Sequence, residues 1–228
     1  LICLARGEGM NSPKVTPGTG GAMGGVTDNL LAFGIPTACC TDGPSGIRMD
    51  CGTYAFSLPN GTCLACSFNE ELSEKLYEME GLELRKNHID SLLGPGINIH
   101  RNPLNGRNFE YFSEDPRLSG IMAAAITKGV QQEKGFYVTL KHFAANNQET
   151  ARGSVSSKVT ERALREMYLK AFGYAVENSD PYTVMTSYNK INGKYTSTCK
   201  DLLSILRNEF GFDGCVLSDW EAGGSRDG

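Results

Sequence analysis

Short apolar strands alternate with amphipathic helices along most of this chain, and the alternation restricts the folds that it can adopt. Five strands are predicted, in the segments 35–40, 89–99 (in part), 137–140, 182–187 and 215–218. Four helices are predicted, beginning after Asn69, near Arg117, after Thr160 and near Asp201. The first 30 residues, rich in glycine and polar residues, are predicted to form a loop. Alternating strands and helices indicate βαβ units that share a parallel sheet.

The predicted helices carry apolar residues at helical spacing. In the helix after Asn69 these are Leu72, Leu76, Met79 and Leu82. In the helix after Thr160 one face holds Ala163, Leu164, Met167, Tyr168, Ala171, Phe172 and Ala175. The fourth helix, 201–209, is expected to stop at Gly211, because glycine commonly ends a helix.

Length and charge exclude several classes of protein. The chain has 228 residues, enough for one domain and near the lower end for a (β/α)₈ barrel. The formal net charge is −4 and Lys and Arg are not clustered, so nucleic-acid binding is not expected. No apolar run reaches the roughly 18 residues that a membrane span needs. No glycine-rich phosphate motif follows a strand, so a nucleotide site is not supported.

The chain contains eight cysteines, and several of them lie in apolar stretches. Cys39, Cys40 and Cys215 are therefore expected to be small core residues. Cys63 and Cys66 form a single C-x-x-C motif, but the histidines lie far from it in sequence and supply no matching zinc ligands. We predict reduced thiols in a cytoplasmic protein, with no metal and no cofactor.

Polar residues collect just after the predicted strands, where both a (β/α) barrel and a doubly wound sheet bind ligands. They are Asp42, Asn98, His100, Arg107, Lys141, His142, Tyr188, Asn189 and Asp219. Asp219 ends an apolar strand and could be a nucleophile, a metal ligand or a helix cap. The indole of the next residue, Trp220, favours a sugar, whose apolar face stacks on aromatic rings. Position therefore predicts a site, and Trp220 suggests its ligand.

Two other segments carry candidate binding residues. Lys141 and His142 can donate hydrogen bonds to hydroxyl groups, although a phosphate would also accept them. Asp42 could accept two hydroxyl hydrogen bonds, or it could simply stabilise an Asx turn. Arg107 is a candidate ligand, and the nearby Glu110 and Glu114 could equally hold Arg107 or the loop in place.

Together these segments resemble glycoside hydrolase family 3, in its β-glucosidase branch. The resemblance runs from about Thr16 to Trp220, in the segments 41–48, 106–116, 141–149, 185–193 and 218–220. It implies that residues 1–228 form a single (β/α)₈ catalytic barrel, incomplete in this chain. It also implies a retaining mechanism in which Asp219 is the nucleophile that forms a covalent glycosyl-enzyme.

The resemblance further implies which residues hold the terminal sugar, namely Asp42, Arg48, Arg107, Lys141, His142, Arg152 and Tyr188. Trp220 matches the ring at the subsite edge. The loop 144–149 lacks the His-Asp pair of the family's β-N-acetylglucosaminidases, which weighs against that activity. The implied substrate is a small β-glucoside or a short oligosaccharide. A β-xylosidase, a non-catalytic sugar-binding barrel and a phosphate-binding barrel are the alternatives.

The resemblance also implies a second carboxyl group, the general acid/base, which most of the family carries on a second α/β-sandwich domain. That domain has no counterpart in the chain. Glu110, Glu114, Glu149 and Glu221 lie near the site segments, but none matches the family's acid position. We therefore expect the chain to be a fragment that turns over little substrate alone, its second domain belonging to the same protein.

Overall fold

The computed structural model describes residues 7–222, which form a mixed α/β fold around one six-stranded sheet. The strands of this sheet lie side by side in the order β1 (Gly21–Gly24), β2 (Thr37–Asp42), β3 (Ser91–Leu93), β4 (Tyr137–Phe143), β6 (Thr183–Thr186) and β9 (Cys215–Ser218). All neighbours are parallel except β1, which is antiparallel to β2. A second, small sheet contains β5 (Ser156–Ser157), β7 (Lys190–Ile191) and β8 (Lys194–Tyr195). The predicted parallel α/β architecture is present.

Helices connect the parallel strands, as the alternation predicts. They are α1 (Asp28–Ala32), α2 (Gly61–Cys66), α3 (Glu70–Lys86), α4 (Pro116–Gln131), α5 (Glu161–Ala163), α6 (Lys170–Ser179) and α7 (Lys200–Ser204). Two π-helical turns, Leu164–Tyr168 and Ile205–Glu209, follow α5 and α7. The side chain of Asn69 caps α3 by accepting the Leu72 N–H at 3.0 Å, so the predicted start of this helix is correct.

The core forms where α4 packs between α3 and α6 and against β4. Glycines allow these close approaches: a Cβ on Gly129 would lie 2.3 Å from the carbonyl oxygen of Glu74. Side chains such as Ile126 and Leu140 are completely buried there. Each buried side chain of this size contributes about 1.5–3 kcal/mol relative to an exposed one, so this layer holds the strands in place.

The face of α3 that meets the core differs from the apolar stripe in its sequence. Leu72, Met79 and Leu82 are 43%, 53% and 41% exposed. The buried residues of the helix are Ser73, Tyr77, Glu80, Gly81 and Leu84. A Cβ on Gly81 would lie 2.8 Å from the carbonyl oxygen of Val130, so the backbones of α3 and α4 meet at this glycine. That contact sets the rotation of α3: Leu76 of the predicted stripe is half-buried and packs against the core, whereas the other three face outward.

Several other expectations are corrected. Part of the predicted N-terminal loop is regular, because β1 pairs with β2 and α1 follows it. Cys39 and Cys40 are buried as predicted, but Cys215 is exposed because it begins β9, the strand at the sheet edge. Between residues 7 and 222 the sheet remains open, so the closed eight-stranded barrel stays a prediction. In the same part of the chain, no helix is both long and apolar enough to cross a membrane.

Candidate active site

The carboxyl ends of the parallel strands bring the predicted site residues to one edge of the sheet. Asp42 is the last residue of β2, and Lys141 and His142 lie near the end of β4. Tyr188 follows β6 by two residues, and Asp219 comes directly after β9. Because these strands are parallel neighbours, residues from distant parts of the sequence meet there.

A chain of ion pairs links Asp42 and Lys141 to two further side chains, Glu110 and Arg107. The Nζ atom of Lys141 lies 2.8 Å from Asp42 Oδ1 and 3.8 Å from Glu110 Oε2. The other carboxylate oxygen of Glu110 accepts a hydrogen bond from Arg107 Nε at 2.5 Å. Burial acts to raise the pKa of Asp42, but Lys141 and Arg107 outweigh it and lower this pKa overall. Asp42 is therefore an ionised acceptor, and Lys141 is a cation held beside it.

The imidazole of His142 is completely buried and lies between this ion-pair chain and Asp219. Its Nδ1 atom is 3.2 Å from the Tyr111 hydroxyl and 3.3 Å from Asn98 Oδ1. Its Nε2 atom is 3.7 Å from Asp219 Oδ2. Burial, together with the positive charges of Arg107 and Lys141, lowers the pKa of His142 well below its usual value. The ring is therefore neutral, with one N–H and one lone pair.

The carboxylate of Asp219 is almost fully buried, and one of its two oxygens accepts a hydrogen bond. Its Oδ1 atom accepts the Trp220 N–H at 2.8 Å, whereas Oδ2 has no hydrogen-bond partner in the part of the chain described. Burial raises the pKa of Asp219, although the Trp220 N–H, Arg107 and Lys141 partly oppose this rise. Burial and the charge of Asp219 together raise the pKa of Tyr188 to about 12. Tyr188 is thus a neutral hydroxyl group beside the carboxylate.

Arg152 and Arg48 are placed differently from each other. The Arg152 guanidinium lies 4.5 Å from the centre of the Tyr188 ring and 2.8 Å from Glu149 Oε2, so it belongs to the cluster. Arg48 pairs with Asp50 at 3.0 Å, and its side chain is 60% exposed. Its backbone N–H donates to the Asp42 carbonyl oxygen at 2.8 Å, and the residue lines a small cavity with Asp42 and Trp220.

Trp220 lies beside Asp219 with its ring against the sheet. The indole packs on an apolar cluster that contains Cys40, Leu93 and Met185. A Cβ on Gly21 would lie 2.8 Å from the ring, so β1 approaches the indole closely. One part of Trp220 is therefore fixed by packing, and its remaining surface borders the cavity shared with Asp42.

Three residues hold His142; the sequence places Asn98 among the strand-end polar residues without a specific role, and it does not single out Tyr111 or Asn146. Asn98 accepts the His142 N–H at 3.0 Å and donates to its carbonyl oxygen at 2.9 Å. Tyr111 contacts the ring, and Asn146 donates to the Tyr111 hydroxyl at 3.2 Å. One signal points to Asn98, which stands between Ile97 and Ile99. A polar side chain in a buried apolar segment normally has a specific partner.

The arrangement suits a ligand with several hydroxyl groups. It combines an acceptor carboxylate (Asp42), donors (Lys141, Tyr188 and the neutral ring of His142) and the buried carboxylate of Asp219, whose Oδ2 atom is unpaired within residues 7–222. Over residues 7–222, no group of three or more His, Cys, Asp or Glu side chains is arranged to hold a metal ion. The functional role of each residue stays a prediction from the sequence.

Comparison with known proteins gives one consistent family. Residues 26–225 match the family described as Glycosyl hydrolase family 3 N terminal domain. The chain is 58% identical to a β-glucosidase of Ruminococcus albus over 223 residues, which are 97% of this chain and 23% of that protein. It is 46% identical to an exo-α-(1→6)-L-arabinopyranosidase of Bifidobacterium longum, over 83% of this chain and 26% of the relative.

A solved structure agrees with these relatives. The crystal structure of a β-glucosidase from Paenibacillus barengoltzii superposes with a TM-score of 0.93 at 59% identity. The superposition covers 96% of this chain and 24% of that one. The chain thus spans about a quarter of the length of the proteins that it matches.

Proposed function

The chain belongs to glycosyl hydrolase family 3, and on that premise we propose that it carries the nucleophile and the sugar-binding residues of a retaining β-glucosidase. The substrate would be a small β-glucoside or a short oligosaccharide with glucose at its non-reducing end. The β-glucosidases of R. albus and P. barengoltzii, both more than half identical to this chain, support this substrate.

One observation carries the proposal: Asp219, buried at the strand ends, has one carboxylate oxygen without a hydrogen-bond partner among residues 7–222. In a retaining glycosidase, a carboxylate attacks the anomeric carbon and the bond to the leaving oxygen breaks, so a covalent glycosyl-enzyme forms. The Trp220 N–H engages Oδ1, which leaves Oδ2 available for this attack. Arg107 and Lys141 favour the ionised, nucleophilic form of the carboxylate.

The neighbouring side chains would hold the sugar. Asp42 would accept hydrogen bonds from two adjacent hydroxyl groups, and Lys141, only 2.8 Å from it, would donate to one of them. His142 and Tyr188 lie close to Asp219 and would contact hydroxyl groups near the reacting carbon. Arg107 and Arg152 would add positive charge, and Trp220 would border the subsite.

The general acid/base is a separate part of the proposal. Three other carboxylates near the strand ends are paired with cations: Asp42 with Lys141, Glu110 with Arg107, and Glu149 with Arg152. The charges of Lys141 and Arg107 lower the pKa of Asp42, which makes Asp42 a poor proton donor. We therefore propose that the acid comes from a second α/β domain of a longer protein, and that the open sheet is one part of a (β/α)₈ barrel.

Covalent trapping tests the nucleophile. The chain would be incubated with a 2-deoxy-2-fluoro-β-glucoside that has a dinitrophenyl leaving group, which departs without acid assistance. Mass spectrometry should find one fluoroglucosyl group per chain, and peptide mapping should place it on Asp219. Asp219→Asn should abolish labelling. The matched control Asp213→Asn changes an exposed carboxylate six residues upstream and should label like the parent chain.

Two outcomes would contradict the proposal. Glucose binding without any labelling would indicate a non-catalytic sugar-binding barrel. Faster labelling by the corresponding fluoroxyloside or arabinopyranoside would favour a pentopyranosidase, a candidate supported by the 46% identity to an arabinopyranosidase. The three sugars should therefore be compared at equal concentration.

A further inference from the structure

The neutral ring of His142 has one N–H, and the ring nitrogen that carries it determines what the site offers next to Asp219. Nδ1 faces Asn98 and Tyr111, whereas Nε2 faces Asp219 Oδ2 at 3.7 Å. With the proton on Nε2, the ring donates toward the reaction side. With the proton on Nδ1, it presents a lone pair to a carboxylate. The surroundings of Nδ1 therefore set the chemistry at Nε2.

The amide of Asn98 is oriented by the backbone of His142. Its Oδ1 atom accepts the His142 N–H at 3.0 Å, and its Nδ2 atom donates to the His142 carbonyl at 2.9 Å. Toward the ring, Asn98 can thus act only as an acceptor, and its Oδ1 atom already has a donor. An amide oxygen can accept two hydrogen bonds, and at 3.3 Å Oδ1 would accept one from a protonated Nδ1. This contact alone favours the proton on Nδ1, and the contacts of Tyr111 and Asp219 must outweigh it.

The Tyr111 hydroxyl is the second neighbour of Nδ1, and it has a proton to place. The side chain is completely buried, and its hydroxyl oxygen accepts from Asn146 Nδ2 at 3.2 Å. Two acceptors are within reach of its own proton: Nδ1 of His142 at 3.2 Å and the Asn146 carbonyl at 3.5 Å. The shorter contact, to the ring nitrogen, is the better hydrogen bond.

The opposite side of the ring points to the same arrangement. Asp219 Oδ2 has no donor within hydrogen-bond distance among residues 7–222, although the Tyr188 hydroxyl also lies beside the carboxylate. A proton on Nε2 turns its 3.7 Å contact with that oxygen into an attraction, whereas a lone pair there would repel the carboxylate in a buried site. The contacts with Tyr111 and Asp219 therefore both favour a proton on Nε2, against the one contact with Asn98 that opposes it.

We propose that Tyr111 is a positioning residue: it donates a hydrogen bond to His142 Nδ1 and so keeps the proton on Nε2, directed to the Asp219 side of the site. In the proposed β-glucosidase, on which the catalytic meaning of this inference rests, the Nε2–H would donate to a sugar hydroxyl near the anomeric carbon. Tyr111 acts through His142 and does not itself touch the sugar.

Nitrogen-15 NMR of the histidine rings tests the tautomer without any substrate. The chain has three histidines. The resonances that disappear in the His142→Gln variant are those of His142. In the parent chain, Nδ1 of His142 should show the shift of an unprotonated ring nitrogen and Nε2 that of an N–H. Tyr111→Phe should move proton population onto Nδ1. A protonated Nδ1 in the parent chain, or unchanged resonances in Tyr111→Phe, would overturn the inference.

A matched variant separates this effect from the general loss of a buried hydroxyl. Tyr77, on α3, is also completely buried, and its hydroxyl donates to the carbonyl of Pro44 rather than to His142. Tyr77→Phe should leave the His142 resonances unchanged. If it shifts them as much as Tyr111→Phe does, the contact between Tyr111 and His142 is not the cause and the inference fails.

Kinetics connects the tautomer with the proposed function. Tyr111→Phe should slow covalent labelling of Asp219 about tenfold. Deletion of a group that donates directly to the transition state typically costs more, on the order of 100-fold. An unchanged labelling rate would overturn the catalytic part of the inference. If the parent chain shows the expected tautomer but never labels, the proposed function fails while the tautomer assignment stands.

Discussion

At the scale of single residues, the buried carboxylate of Glu110 is expected to contribute strongly to the free energy of unfolding. Its side chain is 4% exposed and lies between Arg107, at 2.5 Å, and Lys141, at 3.8 Å. It thereby compensates two cations that would otherwise be buried with less opposite charge. Removal of one partner from a buried ion pair is costly because the other charge is left uncompensated.

We expect Glu110→Gln to lower the free energy of unfolding at pH 7 by about 3 kcal/mol. It should also weaken glucose binding, because Arg107 and Lys141 lose the negative charge that holds both of them in place. Urea unfolding and inhibition by glucose measure the two effects. Glu114→Gln, an exposed acid in the same segment, should change neither quantity. A Glu110→Gln chain as stable as its parent would show that this pairing contributes nothing.

At the scale of elements, α3 carries a carboxyl group on its buried face. Glu80 is completely buried, and neither of its oxygens has a hydrogen-bond partner in the part of the chain described. Burial, and then the neighbouring charge of Glu83, raises the pKa of Glu80 well above its usual value of 4.5. The folded chain therefore keeps Glu80 protonated at pH values where the unfolded chain ionises it.

This shift gives a signed pH dependence. Because the folded pKa is raised, the stability contributed by protonated Glu80 is fully present below about pH 4.5 and is lost as pH rises toward the folded pKa. Glu80→Gln should therefore differ little from its parent near pH 4. Its advantage in unfolding free energy should grow by about 1.4 kcal/mol per pH unit above that.

Urea unfolding between pH 4 and pH 8 measures the predicted advantage. Glu70→Gln, an exposed acid at the start of the same helix, is the control and should show no comparable growth with pH. A constant difference between Glu80→Gln and its parent over this range would mean that Glu80 titrates normally.

At the scale of the whole molecule, Asp42, Glu110 and Glu149 are engaged by cations, and the proposal takes the proton donor for the leaving group from a second domain. The proposed chemistry then depends strongly on the leaving group. A dinitrophenolate departs unaided, whereas the sugar oxygen of cellobiose needs protonation. General acid catalysis typically contributes about 10²–10⁴-fold.

We expect the 228-residue chain to release dinitrophenol from its β-glucoside at least about 10²-fold faster than it cleaves cellobiose. Azide, a nucleophile that needs no general base, should speed breakdown of the glycosyl-enzyme and yield glucosyl azide. Product chromatography measures both. Equal rates on the two substrates, abolished by Asp219→Asn, would locate a working acid within this chain.

Much of the fold could be predicted because its signals are local. The strand Cys215–Ser218 has the predicted bounds, and Asn69 caps its helix as expected. Strand alternation with helices implies parallel strands, whose carboxyl ends share an edge, and so Asp42, Lys141 and Asp219 could be grouped before any contact was known. Their distances from one another could not, because register and sheet curvature depend on the packed helices.

What the sequence determined by itself was therefore the order of the elements, their parallel arrangement and the family to which the site motifs belong. Only the tertiary structure decided which face of α3 is buried, that Arg48 pairs with Asp50, and that Tyr111 and Asn98 meet His142 across 31 and 44 residues of sequence. Apolar periodicity and helix caps act over a few residues, so they are visible in the sequence. Helix rotation and side-chain pairing depend on close backbone contacts, such as that at Gly81, which exist only once the chain has packed.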